Sequence, residues 1–303
     1  MSVRFTALLL CLCVGGCDLT RFTASSTASL LERAAPSVER HFDTELAGEA
    51  LPGTIVQAEG LLSVVPDDGA LALTTARAYT SYAFGWVEDA EEEARLDGDA
   101  SQARAHRVRA IALYERAWVL ARRAVRLRAA SYDEASEGSI GDYRIWLEQT
   151  FTEPSDAPLL FWAGYARGRY INARWPRSRR RDRAYAIAMV ARSVELDRAY
   201  YGASGLALSA YVATMRPGAD LDEASASWER ALDVSEHNNL LIQLTMARTY
   251  ARRRQDREMY IRLLREIIDA EPENPDLRLS NRLARRRAVR DLAHIEQTFP
   301  LAD

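Results

Sequence analysis

The sequence of 303 residues contains no lysine, so all 40 of its basic residues are arginines. Without lysine there is no P-loop lysine to bind a nucleotide phosphate and no amine to form a Schiff base. The arginines nearly balance 43 acidic residues, which leaves a net charge of −3. This balance predicts no nucleic-acid partner, because such partners are bound through an excess of positive charge.

Cysteine and histidine are also scarce. The three cysteines, Cys11, Cys13 and Cys17, all lie near the N-terminus, which excludes a disulfide or a thiolate nucleophile from the rest of the chain. The four histidines are scattered and do not share a helical spacing suited to a metal. Gly202 to Gly205 has the wrong spacing for a nucleophile elbow. We therefore predict no catalytic residue, no metal site, no cofactor and no enzymatic activity.

The N-terminus has the pattern of a bacterial lipoprotein signal. One arginine, Arg4, precedes a short apolar run from Phe5 to Val14, which is shorter than the roughly 17–25 residues of a spanning helix but suits a signal peptide. Small residues then precede Cys17, in an arrangement that resembles a lipobox. We predict a signal peptide over 1–16, a lipid-anchored polar tether over 17–29 and lipidation of Cys17. The alternatives are an ordinary secretory signal or a buried apolar helix.

Helical periodicity dominates the remaining chain, and no run alternates as a strand would. One single α-helical domain is predicted over 30–303. Its helices are expected near 30–66, 69–93, 100–130, 143–151, 157–175, 184–196, 200–215, 221–235, 240–253, 257–270 and 275–299. The predicted fold class is all-α, an antiparallel array of helical hairpins.

A small–bulky–small pattern on several helices suggests degenerate tetratricopeptide-like (TPR-like) repeats. Small residues at these positions let neighbouring helices approach closely. The candidate triplets are Ala117/Ala121/Ala124, Ala186/Val190/Ser193, Ala224/Trp228/Ala231 and Tyr260/Leu264/Ile267.

Three stretches together resemble the TatT family, the T component associated with tripartite ATP-independent periplasmic (TRAP) transporters. They are Ala50 to Ala94, Asp156 to Ala173 and Leu277 to Phe299. The resemblance implies a periplasmic lipoprotein with cryptic TPR repeats, a homotrimer, and a pore or cavity in each protomer. It implies a TRAP-type solute-binding protein as the partner, and it carries over no catalytic residue. The basic segment from Pro176 to Arg183 departs from the expected pattern.

Aromatic and polar residues within the matching stretches are candidates for the wall of a ligand cavity. Such walls combine apolar area with a few groups that orient the ligand. We select Tyr79, Tyr82, Trp86, Trp162, Tyr165, Asn172, Asn281 and Arg285. Gly164 and Gly168 indicate either close approach of helices or open room beside them. The alternative is that the aromatics fill the helix-packing core.

Two functions from different classes fit these features. The first is an accessory component of a TRAP-type transport system, which docks a solute-binding protein and holds or passes its small organic ligand. The second is a general TPR-type interaction scaffold for assembly of the cell envelope. In both, the protein is expected in the periplasm, attached to the inner or outer membrane through its lipid anchor only. The acidic run from Glu88 to Glu93 is interpreted as a solvated helix end.

Overall fold

The computed structural model describes residues 3–174, 180–271 and 274–300, and within them the chain is helical with no β-strand. The all-α prediction is confirmed. The helices of the first half are α1 (Val3–Glu39), α2 (Thr44–Val64), α3 (Gly69–Tyr82), α4 (Glu88–Leu96), α5 (Ala100–Arg128), α6 (Tyr132–Glu137), α7 (Ile140–Thr150) and α8 (Ala157–Arg174). Those of the second half are α9 (Arg180–Leu196), α10 (Tyr200–Met215), α11 (Leu221–Val234), α12 (Leu240–Met246), α13 (Arg252–Arg254), α14 (Arg257–Asp269), α15 (Arg278–Ala293) and α16 (Ile295–Thr298).

Five of the described helices begin where an aspartate side chain caps the backbone. Asp43, Asp68, Asp99, Asp220 and Asp256 each accept hydrogen bonds from backbone N–H groups of the first turn that follows. These donors have no partner within a helix, so a capping oxygen stabilises the start by about 1 kcal/mol. The predicted starts at 69, 100, 221 and 257 agree with four of these capped starts, whereas the region predicted as helical over 30–66 contains the end of α1 and all of α2.

Part of the predicted tether is helical. Residues 19–29 belong to α1, and Ala24 and Ala28 are buried against the body of the protein. The hydroxyl groups of Thr23 and Thr27 donate to backbone carbonyls one turn earlier, so polar composition here does not prevent a helix. The alanines lie four residues apart and therefore share one face.

The described residues form two large hydrophobic cores and a small third cluster of Ala83, Val87, Ala110 and Tyr114. The first contains residues of α1 to α3 and α5 to α9, with Leu120, Phe151 and Leu160 among its most buried members. The second contains residues of α10 to α12, α14 and α15, around Trp228 and Leu264. All twelve residues of the predicted repeat triplets are buried. This burial agrees with packing positions on the helices, while the TPR-like arrangement itself stays a prediction.

Two π-helical segments interrupt stretches that the sequence predicts as continuous helices. Ala83–Val87 joins α3 to α4, and Ala247–Ala251 joins α12 to α13. A π-helical turn adds a residue to the turn and shifts the following side chains around the axis, and such turns are frequent at functional sites. Within the described parts of the chain, no helix has the length and apolar character needed to cross a membrane.

Candidate functional site

Trp162 and Tyr165, two of the predicted cavity residues, lie in a group of five aromatic side chains between the two cores. We call this group the inner aromatic cluster; its members are Phe161, Trp162, Tyr165, Tyr200 and Tyr201. Ring centroids of contacting pairs are 5.1 to 6.3 Å apart, within the range of stabilising aromatic pairs. The Trp162 indole Nε1 donates to the Tyr200 hydroxyl at 3.0 Å.

Arg77, on α3, lies against one end of this cluster. Its guanidinium carbon is 5.2 Å from the Trp162 ring and 5.3 Å from the Tyr201 ring, and the two rings meet at 62°. They form a corner that attracts the cation through its π faces. Sequence reasoning did not select Arg77, because an arginine within an α-helix has no signal that separates it from solvated ones.

Glu39, the last residue of α1, holds Arg77 from another side. Arg77 Nη2 donates to Glu39 Oε1 at 3.1 Å, and the Tyr201 hydroxyl donates to the same oxygen at 2.8 Å. Glu39 is only 8% exposed. Burial opposes the charge of Arg77, but neighbouring Tyr201 and Glu39 outweigh it and raise the pKa of the guanidinium. Arg77 therefore stays charged within a largely apolar surrounding.

A second arginine lies at the other end of the cluster. Arg169, on α8, is 6.0 Å from the Tyr165 ring and 5.3 Å from the Phe84 ring. It makes a close ion pair with Glu88 and donates to the Tyr114 hydroxyl at 3.1 Å. The aromatic side chains of the inner cluster thus extend from one arginine to the other.

The inner aromatic cluster combines desolvation with residual accessibility. Burial raises the pKa of the Tyr165 phenol and, more strongly, that of Tyr201. Yet both side chains are only partly buried, and 26% of the Arg169 side chain and 22% of the Arg77 side chain stay accessible. Phe161 and Trp162, by contrast, are only 2% and 3% exposed, so the accessible part of the cluster is formed by its tyrosines and the adjoining arginines.

The turn that places Tyr201 has an unusual backbone. Tyr201, Gly202 and Ala203 all adopt left-handed conformations, with φ of 51°, 58° and 59°. For a residue with a Cβ this costs roughly 1–2 kcal/mol. The Asn239 amide donates to the Gly202 carbonyl at 2.8 Å and holds the turn. Backbone strain of this kind persists where the surrounding structure imposes it, and it concentrates at binding and catalytic sites.

The remaining aromatic candidates lie apart from this cluster. Tyr79 packs against the first core. Tyr82 and Trp86 stack on each other with centroids 6.0 Å apart, and the Trp86 indole donates to the Thr44 carbonyl at 3.0 Å. The Tyr82 ring is covered by Arg109 at 5.5 Å. Within the described residues no ring contact joins this pair to Trp162.

The side chains of Asn281 and Arg285 form hydrogen bonds with backbone groups rather than lining a cleft. The buried Asn281 amide accepts from Leu240 N at 3.0 Å and donates to the Asn238 carbonyl at 2.8 Å, which ties α15 to the start of α12. Arg285 donates to the Ala270 carbonyl at 2.7 Å, at the end of α14. Such contacts satisfy carbonyls that a helix end leaves free.

Asn172 and the basic segment lie at the surface. Asn172 is exposed and accepts from Arg183 at 3.1 Å. Of the basic segment, Pro176 to Arg179 lies outside the described residues.

The sequence left two interpretations of the glycines in α8, close approach of helices or open space, and the structure assigns one to each glycine. A Cβ on Gly164 would lie 2.8 Å from the Ala186 carbonyl oxygen, so this glycine allows α8 and α9 to touch. A Cβ on Gly168 would meet nothing within 4 Å. Close approach therefore explains Gly164, whereas Gly168 borders open space.

A second group of arginines, which we call the arginine–carboxylate network, joins α4 to the second core. It consists of Asp89, Glu92, Arg248, Arg286, Arg287, Arg290 and Asp291. Asp89 accepts from Arg286, Arg287 and Arg290 at 2.6 to 3.0 Å. The acidic run is therefore not a solvated helix end, because Asp89 is buried and Glu92 is half-buried.

The network shifts the acidity of its carboxylates. Burial alone would raise the pKa of Asp89, but the three guanidinium groups hold it below its ordinary value. Burial would likewise raise the pKa of Glu92, but the positive charge of Arg248 outweighs this effect and lowers the pKa.

The two π-helical segments lie beside this network. The π-helical segment Ala247–Ala251 carries Arg248, and Ala83–Val87 precedes Asp89 by two residues. Both irregular turns therefore border the network, and no sequence signal indicated them.

Other surface features are less suited to a ligand. A depression of about 520 Å³ lies along α14 and is lined by Glu258, Ile261, Arg262, Arg265, Glu266 and Asp269, none of which is aromatic. The described residues contain no group of three or more His, Cys, Asp or Glu side chains that could hold a metal ion.

Comparison with known proteins identifies a family for this chain. A family model described as TRAP transporter T-component matches residues 40–299. No curated protein matches the chain. The matched region includes Arg77, the inner aromatic cluster and the whole arginine–carboxylate network.

Proposed function

Because the chain belongs to the TRAP transporter T-component family, we propose that it docks a TRAP-type solute-binding protein and holds or passes that protein's small organic ligand. The family is a transport accessory family, not an enzyme family. The observation that carries the proposal is the family match across residues 40–299. It favours the transport function over a general envelope scaffold.

The inner aromatic cluster supports the ligand-holding part of this proposal. It offers the apolar area and the few directed polar groups that ligand sites share. Trp162 and Tyr165 supply the walls, and the arginines at the two ends supply charge. The strained turn at Tyr201 and the open space at Gly168 lie on the two helices, α10 and α8, that carry the cluster.

The membrane anchor is part of the same proposal. The family indicates an envelope location, and a lipid chain on Cys17 would keep the protein beside the membrane subunits of its transporter. A single acyl chain gives only marginal membrane residence, so the anchor would need more than one. Fractionation of cells that express Cys17→Ser tests it. Release of the protein from the membrane fraction supports lipidation, and unchanged membrane association contradicts it.

Isothermal titration of the non-lipidated protein with the TRAP-type solute-binding protein of the same organism tests docking. We expect a saturable complex with one solute-binding protein per chain. A periplasmic solute-binding protein of a different transporter class serves as the control and should give no heat of binding. Absence of binding at tens of micromolar of the TRAP-type protein contradicts the docking proposal.

The homotrimer implied by the family resemblance is tested separately. Sedimentation equilibrium of the non-lipidated protein should give three times the mass of one chain. A monomer at tens of micromolar would remove the trimer from the proposal without affecting docking.

A further inference from the structure

The helix α1 connects the predicted anchor to the body of the protein without an intervening loop. Leu19 follows Cys17 by two residues, which is about 3 Å along an α-helix. Ala24 and Ala28 of the same helix are buried in the first core. Since Ala24 is seven residues beyond Cys17, the body lies within about 10 Å of a lipid attached to that cysteine.

The side of α1 opposite these alanines is exposed and apolar. Leu19, Phe22 and Leu30 are 66%, 70% and 64% exposed. From the helical repeat, the three side chains share one face of α1, turned away from the side that Ala24 and Ala28 bury. Grouped exposed apolar side chains of this kind mark surfaces that contact a protein or a membrane.

The polar groups on the same stretch are already satisfied within the helix. The hydroxyl groups of Thr23, Ser26 and Thr27 donate to backbone carbonyls four residues earlier, at 2.8 to 2.9 Å. These donors need no water as a partner. The cost of placing this face against an apolar phase is therefore lowered, because that cost comes mainly from polar groups left without hydrogen bonds.

Charge is scarce on this stretch of α1. From residue 19 to residue 30 the one charged side chain is Arg21, and its guanidinium pairs with Asp67 at 3.3 Å, where α2 leads into α3. A paired arginine gives little preference for anionic over neutral lipid. Contact of α1 with a membrane would therefore depend on the apolar side chains.

We propose that the outer face of α1, formed by Leu19, Phe22 and Leu30 with the hydroxyl groups between them, lies in the interfacial layer of the bilayer that holds the lipid of Cys17. The proposal rests on the lipid anchor of the proposed function. A bilayer is the occupant because the acyl chains would leave the protein at the same end of α1. An amphipathic helix beside a bilayer lies along the interface with its apolar face inserted, so the anchor and α1 together would orient the body on the membrane.

Site-directed spin labelling of the lipidated protein, in vesicles of phosphatidylethanolamine and phosphatidylglycerol, tests the proposal. Cys11 and Cys13 lie in the predicted signal peptide and Cys17 would be acylated, so an introduced cysteine is the one reactive thiol. Phe22→Cys labels the outer face of α1. Val108→Cys, on α5 and similarly exposed at 63%, is the matched control.

The relaxation of each nitroxide by oxygen, which concentrates in the bilayer, is compared with its relaxation by a water-soluble nickel chelate. We expect the ratio of oxygen to nickel relaxation to be several-fold higher for Phe22→Cys than for Val108→Cys. Leu30→Cys gives a second position on the same face and should behave like Phe22→Cys. All three native side chains are exposed, so the substitutions should leave the fold unchanged.

Two results overturn the inference. Equal ratios in Phe22→Cys and Val108→Cys place the outer face of α1 in water. Protection of the Phe22→Cys label from both reagents shows contact with protein, either a second copy or another partner. Mass spectrometry of the same vesicle-bound sample separates this inference from the anchor. An acylated Cys17 with a water-exposed label removes only the membrane contact of α1, whereas an unmodified Cys17 removes the anchor and the inference together.

Discussion

The protein contains two groups of partly or fully buried arginines that differ in how their donors are used. In the arginine–carboxylate network, Asp89 pairs with three guanidinium groups and Glu92 with two, and Arg248 binds both Glu92 and Asp291. At the inner aromatic cluster, Arg77 has one carboxylate and two aromatic rings. Every charge of the first group is paired within the chain, although the buried Nε of Arg286 has no hydrogen-bond partner. Arg77 has Glu39 as its carboxylate partner, and part of its side chain is accessible.

We infer from this difference that the arginines of the network stabilise the fold, whereas Arg77 is available to bind a ligand. A buried ion network is stable only when every charge is paired, because an unpaired buried charge costs several kcal/mol. The network at Asp89 meets that condition and fixes α4 against α15. Arg77 has a single carboxylate partner, and the faces of the Trp162 and Tyr201 rings provide the rest of its favourable surroundings. We therefore expect substitutions in the network to act on stability and substitutions at Arg77 to act on ligand binding.

The largest expected effect follows removal of the central carboxylate of the network. Asp89→Asn leaves three guanidinium groups without their common partner and should lower the free energy of unfolding by about 3–5 kcal/mol. Urea denaturation followed by circular dichroism measures it. Asp276→Asn, which breaks the exposed pair with Arg40, is the control and should cost no more than about 1 kcal/mol. Similar losses in both variants would contradict the structural role of the network.

The two glycines of α8 should respond in opposite directions. Gly164→Ala forces a Cβ against the backbone of α9 and should cost about 1–3 kcal/mol. Gly168→Ala meets open space and should stabilise the helix by up to about 1 kcal/mol. Thermal unfolding of the two variants checks both signs. Destabilisation by Gly168→Ala would show that the space beside it is filled, against an open inner site.

The smallest expected effect is a dependence of stability on pH. The pKa values of Asp89 and Glu92 are lowered in the folded protein, so their stabilisation is complete above the ordinary carboxyl pKa of about 4. It is lost as the pH falls through the lower folded pKa values. Unfolding free energies between pH 7 and pH 3 should therefore fall more steeply in the wild type than in Asp89→Asn. Parallel curves would show that Asp89 titrates alike in the folded and unfolded chain.

Local sequence signals predicted most of the fold. The helix starts predicted at 69 and 100 agree with the structure, where Asp68 and Asp99 cap them, and the small–bulky–small pattern marked the face that Ala224 and Trp228 bury. The π-helical segments were missed, because their residues have no composition that distinguishes them from α-helix. The helical part of the predicted tether was missed because burial of Ala24 and Ala28 depends on contacts with distant helices.

The candidate site was predicted only in part. Trp162 and Tyr165 were selected from aromatic content and lie in the inner aromatic cluster. Arg77 and Glu39 were missed because the site forms from four elements that are distant in sequence, α1, α3, α8 and α10. Asn281 was selected as a polar residue on a packed helix, but its amide is used by the backbone of Asn238 and Leu240. Sequence spacing alone does not show which hydrogen-bond partners a buried side chain has in the fold.

One pair of matched substitutions tests the central difference between the two arginine groups directly. Arg77→Lys and Arg290→Lys each keep the charge and remove the guanidinium fork. For each variant, the free energy of unfolding is measured together with the affinity for octanoate, a probe of the inner aromatic cluster that has an apolar body and one negative charge. We predict that Arg290→Lys loses about 1.5–3 kcal/mol of stability with unchanged octanoate affinity, because Arg290 pairs with Asp89, Glu92 and Glu93. Arg77→Lys should lose octanoate affinity with little change in stability. The reverse pattern, or equal changes in both properties for both variants, would contradict the account.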